Sequence, residues 1–291
     1  VGTVAVLRRY PVKSLRGEDL PVAEVGAHGV AGDRTHAVVD RRTGKVGSAK
    51  NPRLWRALLT MSATACPNGP PGDGGAPEVS ITLPSGATVS SRDARVDELL
   101  SEVLGRPVRL ADELPPGAEI ERADPLSVLA HGVDAEVPIV VGSLDRRAGH
   151  PDRPLSFVDY APVHLLTSAT LDRIRNLHPG GAVDLRRYRP NLVVRTAPGA
   201  AGFVENRWVG RCLRIGAQLV VRVVVNTPRC AIPTLAHGEL PRDTNALRVL
   251  ADHNRLPVPD RGELACAGVY AQVVEPGTIS NGDQVSLLPS D

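Results

Sequence analysis

Residues 211–225, RCLRIGAQLVVRVVV, set two apolar-rich runs on either side of Gly216. β-Branched residues in period-two register, interrupted by one turn glycine, predict an antiparallel hairpin. A chain built around such a ribbon has to bury at least one face of a sheet. The pattern recurs along the chain. VGTVAVLRRYPV opens it with imperfect apolar–polar alternation, THAVVD follows a turn at Gly32-Asp33, and RTGK reads as a hairpin tip. VSITLPSGATVSS predicts a further hairpin, NLVVRT a strand, and GVYAQVVEPGTISNGDQVSLL two strands around a Pro-Gly turn before Asn281-Gly282.

The period changes in few places. In DARVDELLSEVLGRP, Val96, Leu99, Leu100, Val103 and Leu104 fall at helical spacing, and Gly105 followed by Pro107 supplies the stop. APVHLLTSATLDRIRNL predicts a helix capped by Thr167 or Ser168, and TNALRVLADHNRL another with Leu247 and Leu250 on one face. CPNGPPGDGGAPE (66–78) is a loop by composition, and 106–155 reads as a connection with a short strand at VPIVVG. The expectation is a mostly β, α+β protein: an N-terminal β-rich module over 1–120, a connection over 121–155 and a second β-rich module over 156–291.

Several function classes are excluded at this level. The formal net charge of +2 and the interspersed charges carry no signature of a nucleic-acid partner. No apolar segment reaches the roughly 20 residues of a membrane span, and the start of the chain lacks a signal-peptide layout, so the expected location is cytoplasmic. There is no phosphate-loop, dinucleotide-fold or nucleophile-elbow motif, and the eight histidines form no metal-binding pair. His36, His164 and Asp184 receive no assignment. Cys66, Cys212, Cys230 and Cys266 make no C-x-x-C pair, which favours free thiols in a reducing compartment. Only Lys13, Lys45 and Lys50 are lysines, against 31 arginines.

What remains is a dispersed set of basic and hydroxyl residues at strand ends and turns. It comprises Lys13-Ser14, Arg34, Thr167-Ser168, Arg189-Pro190-Asn191 and Arg229-Cys230. Cations beside hydroxyl groups suit a multiply anionic, phosphorylated ligand. The arginine directly before Cys230 is expected to favour its thiolate.

The motifs YPVKSLRG, GDRTHAVVD with SAKNPR downstream, HLLTSATL, RYRPNLVV, WVGRCLRIG, TPRCAIPT and the closing GVYAQVVEPGTISNGDQV occur in one order. In these the chain resembles MOSC-domain proteins with the N-terminal MOSC β-barrel module, the arrangement of the amidoxime-reducing components. The resemblance implies a MOSC-type β-barrel and a molybdenum–molybdopterin cofactor, with Cys230 as the thiolate ligand of the metal. It further implies that Lys13, Ser14, Arg34, Thr167, Ser168, Arg189, Asn191, Pro228, Arg229 and Tyr270 line the cofactor. The implied activity is oxygen removal from N-hydroxylated or N-oxygenated small molecules, with electrons from a separate ferredoxin- or flavoprotein-type donor. Sulfur transfer or cofactor carriage through Cys230, and recruitment of the scaffold to another reaction in specialised metabolism, are the alternatives. The chain departs from the reductases at Ala267, where they commonly carry a bulky aromatic.

Overall fold

The structure is a computed structural model and describes residues 1–66, 76–144 and 157–289. Most of the loop expected at 66–78 therefore lies outside the described residues.

Seven strands close into a barrel. In order around it they are Val163–Thr167, Leu192–Thr196, Gly2–Arg9, Gln284–Leu287, Cys212–Ile215, Leu219–Pro228 and Gly262–Glu275, the last pairing back onto the first. The hairpin expected at Gly216 is the Cys212–Ile215 and Leu219–Pro228 pair, with Ile215 opposite Leu219. Closure removes the exposed edges that an open sheet of this length would leave. Alternate side chains then fill the interior, Val4, Leu7, Leu165, Val194, Leu213, Val221, Val223 and Val269 among them.

One barrel pair is parallel: Val163–Thr167 beside Leu192–Thr196. Parallel neighbours need a crossover, and the helix Ser168–Leu177 supplies it. Thr167 is its N-cap, accepting from the Thr170 backbone N–H at 3.1 Å. Leu171 and Ile174 are buried against Leu247 and Leu250 of the expected helix Asn245–His253.

The first strand is a barrel strand, and the chain then builds a second core around Leu15, Trp55, Leu58, Met61, Ile81 and Leu100. There the expected hairpin of Val79–Thr82 with Thr88–Ser90 forms, and the helix Val96–Leu104 ends at Gly105 in the left-handed conformation. The 106–155 stretch holds more structure than a connection. Val108–Ala111 pairs with Ala37–Asp40, and Glu119–Ala123 pairs with Ile139–Ser143 around a short helix, Pro125–His131. Its polar strands, such as EIERA, lack the apolar alternation that marks a strand in sequence. The two strands expected around the Pro-Gly turn near the C-terminus form, as Gly262–Glu275 and Gly277–Ser280. Gly277–Ser280 pairs with Val22–Gly26, not with the strand before the turn. A local turn signal says where a strand stops, and the partner is chosen by distant packing.

Candidate functional site

The strand directions bring one set of ends together. The exit of Gly2–Arg9, the entries of Val163–Thr167 and Leu192–Thr196 and the exit of Leu219–Pro228 all meet at one end of the barrel. The residues just beyond them line a cleft of about 60 Å³. Lys13, Ser14, Arg34, Arg189, Asn191, Pro228, Arg229, Cys230 and Tyr270 all reach it. These nine of the expected site residues come together from separate elements, across a sequence span of more than 250 residues.

The backbone is bent to do this. Among the described residues four non-glycine positions have positive φ, and three are Ser14 (66°), Arg34 (51°) and Arg189 (55°). Left-handed backbone at a side-chain-bearing residue costs on the order of 1 kcal/mol or more and persists only where packing enforces it. Here it turns three cleft side chains inward from loops that would otherwise run past.

Charge is concentrated and unevenly balanced. Asp159 is shared by two ammonium groups, with Lys13 Nζ at 2.8 Å and Lys50 Nζ at 2.9 Å. These two cations hold the Asp159 carboxyl well below the usual carboxylate range against the opposing effect of its burial. Burial in turn pushes the Lys13 ammonium down to about 7 despite Asp159. Arg34 is paired with Asp33. Arg189 has no carboxylate partner among the described residues. Its guanidinium lies 4.3 Å from the centroid of the buried Tyr10 ring, which also receives Arg34 at 4.8 Å, and its Nη2 is buried without a hydrogen bond. Burial lowers the Arg189 pKa to about 10. The cleft is therefore lined by five cations, Lys13, Arg34, Lys50, Arg189 and Arg229, against one lining carboxylate, Asp159, with Asp33 paired to Arg34 behind it.

Asn191 frames the cleft. Its Oδ1 accepts from the His164 backbone N–H at 3.2 Å and from Arg34 at 3.4 Å, and its Nδ2 donates to the Arg8 carbonyl. The Ser14 Oγ accepts from the Ala49 N–H at 3.1 Å. His164 lies between two partners of fixed polarity, since Arg229 can only donate and the Arg189 carbonyl can only accept. The ring therefore donates from Nδ1 to the carbonyl (3.2 Å) and accepts at Nε2 from Arg229 (3.3 Å). Burial and the Arg229 charge keep it neutral, well below the ordinary histidine range.

One expectation is corrected. Thr167 and Ser168 do not line the cleft. Thr167 is fully buried and donates to Glu205 Oε2 at 2.6 Å, and Ser168 Oγ shares a hydrogen bond with Thr196 Oγ1 at 3.1 Å. His164 marks the cleft end of their strand, and three residues of extended chain carry Thr167 about 10 Å away. The Arg229 guanidinium makes no hydrogen bond to Cys230 among the described residues. That group donates to the Tyr188 carbonyl at 2.7 Å and the Ala267 carbonyl at 3.3 Å. Lys50 and Arg261 are electrostatic neighbours of the Cys230 sulfur. Lys50, Asp159 and His164 were missed as site residues. Lys50 sits in SAKNPR and is one of three lysines, and His164 opens the motif HLLTSATL, signals that could have found them; Asp159 carries none.

On the far side of Cys230 a second cavity opens, about 340 Å³ in volume. It shares Lys50, Asp159, Pro228, Arg229, Cys230 and Tyr270 with the cleft. Tyr270 stacks at a tilt on His164 (5.4 Å between centroids) and on Tyr160 (5.8 Å). Burial raises its phenol pKa to about 12, so it keeps its proton. Ala267, the point of departure from the reductases, is fully buried and lines neither cavity.

The MOSC N-terminal β-barrel domain model matches residues 1–107, and the MOSC domain model matches residues 152–286. This chain is a MOSC-domain protein. MOSC domains are associated with molybdenum-cofactor binding. Mitochondrial amidoxime-reducing component 1 of Xenopus laevis is 26% identical over 245 residues, 81% of this MOSC protein and 66% of the relative. The chain thus spans just under two thirds of that relative's length. Among solved structures, the YUAD protein from Bacillus subtilis is 8% identical and covers 98% of this chain and 94% of its own, at a TM-score of 0.45. YiiM from Geobacillus stearothermophilus is 14% identical and covers 44% and 55%, at 0.31.

Proposed function

We propose that this MOSC protein holds a molybdenum–molybdopterin cofactor with Cys230 as the thiolate ligand of the metal. In this reading it removes oxygen from N-hydroxylated or otherwise N-oxygenated small molecules. The observation that carries the reading is the uncompensated charge beside Cys230: Arg189, buried with Nη2 unpartnered, in a cleft lined by five cations against Asp159, with Asp33 paired to Arg34. Buried cations without counter-ions are costly, and a bound anion relieves that cost.

The donor set fits the cofactor. Among the described residues no three His, Cys, Asp or Glu side chains converge, so a metal here has one protein thiolate and must bring its other ligands with it. A soft thiolate suits a metal carrying further sulfur ligands. The 60 Å³ cleft is too small for a pterin together with its phosphate, so such a group would also occupy part of the adjoining 340 Å³ space.

When bound, the cofactor supplies two-electron oxygen-atom removal. The chain's own residues do the rest. Lys13, Lys50, Arg34 and Arg189 offset the anionic charge, and an anion beside Lys13 draws its pKa back up from about 7 and restores the proton. His164 stays neutral and holds the Arg189 carbonyl, which keeps Arg189 in its left-handed turn. Tyr270, protonated at neutral pH, offers an O–H to a substrate oxygen from the wall common to both cavities. The electrons come from a separate ferredoxin- or flavoprotein-type protein.

Elemental analysis of freshly purified protein, with fluorescence of the oxidised pterin and reduction of benzamidoxime by an artificial electron donor, tests the reading. Molybdenum, pterin and amidine formation are expected in the wild type, all lost or labile in Cys230→Ala. Full turnover by Cys230→Ala would overturn the assignment.

A further inference from the structure

Beyond the part of the 340 Å³ cavity that the cofactor would take beside Cys230, the space runs on toward Arg122 and Arg261. Part of its wall is apolar, from Leu126, Val140, Tyr160, Val258 and Leu264. Its cations divide into two groups. Lys50 is held by Asp159, Arg229 by two backbone carbonyls, and Arg255 by the Glu263 carbonyl at 2.8 Å. Arg122 and Arg261 remain. Neither guanidinium has an ion pair or hydrogen-bond partner among the described residues, although Asp124 and Glu263 also line the cavity.

Both are placed there by backbone geometry. Arg122 projects from the strand Glu119–Ala123, opposite Val140, and lies over Gly142: a Cβ at Gly142 would meet Arg122 Nη1 at 2.2 Å. Arg261 stands in the tight turn between Arg255–Val258 and Gly262–Glu275, directly after Asp260. Asp260, at φ 60°, is the one described left-handed non-glycine residue outside the cleft. Desolvation and, next, the charge of Arg122 lower the Arg261 pKa, while Asp159 on the same wall bears electrostatically on Arg122.

We propose that this cavity is the substrate chamber and that it selects organic N-oxygenated compounds bearing a carboxylate, which Arg122 and Arg261 clamp while the apolar wall holds the carbon frame. The N-oxygenated class rests on the oxygen-removal reading above. The preference for a carboxylate rests on the charges of the chamber alone. Guanidinium groups are suited to this task because their fork matches the two carboxylate oxygens.

Isothermal titration of the full chain with 4-carboxybenzamidoxime and with benzamidoxime tests the clamp without turnover. Wild type should bind the carboxylate compound about tenfold or more tightly, the scale of one charged hydrogen bond. That ratio should fall toward one in Arg122→Gln and in Arg261→Gln, and shrink as salt is raised. Equal affinities in the wild type, no binding of either compound, or a ratio unchanged in both variants would overturn the clamp. Reduction assays on the same pair separate the two readings. A retained binding preference with neither compound reduced supports the clamp and overturns oxygen removal. Equal binding with both compounds reduced overturns the clamp and leaves the reaction standing.

Discussion

Cys266 stands on the strand Gly262–Glu275 and Cys230 lies two residues past the end of its partner Leu219–Pro228, where Pro228 pairs with Cys266, yet the two thiols face different worlds. Cys266 is fully buried among Val225 and Val258, its Sγ donates to the Leu264 carbonyl at 3.3 Å, and burial pushes its thiol up to about 12. Cys230 is only half-buried, lines both cavities and has Lys50 and Arg261 as electrostatic neighbours. Residue type is the same on both sides. Reactivity follows the environment: a thiol locked in its neutral form is packing, and a sulfur open to cations and a cavity can be a ligand.

The sharpest way to break this contrast is to remove each sulfur in turn. Cys230→Ala should abolish molybdenum retention and amidoxime reduction while the unfolding free energy stays within about 1 kcal/mol of wild type. A variant that unfolds readily yet turns over would reverse the roles assigned to the two sides. The next effect comes from acid and belongs to the packed regions. His36 and His237 are buried, line neither cavity and have pKa values lowered by desolvation to about 4. Their folded pKa lies below the ordinary value of 6.5, so the stability of burying them neutral is present above pH 6.5. It is lost as pH falls toward 4, on the order of 3 kcal/mol for each histidine. Urea midpoints followed from pH 7 to pH 4 should drop, and His36→Gln should flatten the slope; a flat wild-type profile would refute the buried-neutral description.

Arg189→Met sharpens the cleft side. It should weaken cofactor retention about tenfold or more and leave the cofactor-free protein as stable or more so, because the unpaired charge it deletes is a burden without a ligand. Equal loss in both states would make Arg189 a structural residue of the Tyr10 cluster. Smallest is Cys266→Ala, which should cost roughly 1–2 kcal/mol of stability and leave molybdenum content unchanged; in the wild type, alkylation under native conditions should modify Cys230 before Cys266.

Much of this was legible from one dimension. The hairpin at Gly216, the helices at Val96–Leu104, Ser168–Leu177 and Asn245–His253 and the Thr167 cap all rest on short-range periodicity and capping chemistry. So did Cys230 and its dispersed cations, through motifs at strand ends. Legibility failed where polar strands hid their period, as in Glu119–Ala123, and where hydroxyl residues within a motif turn away from the cleft, as at Thr167 and Ser168.

The chain order alone determined which stretches become strands, where they stop, and that a lone cysteine sits among turns rich in arginine, because those properties depend on near neighbours. Only the closed barrel decided that Lys50 and Asp159 join Lys13, that Arg229 turns to carbonyls instead of the sulfur, and that Arg122 and Arg261 face one chamber. Those outcomes depend on strand direction and on which ends meet, and a side chain's charge partner is chosen by whatever the fold brings within a few ångströms.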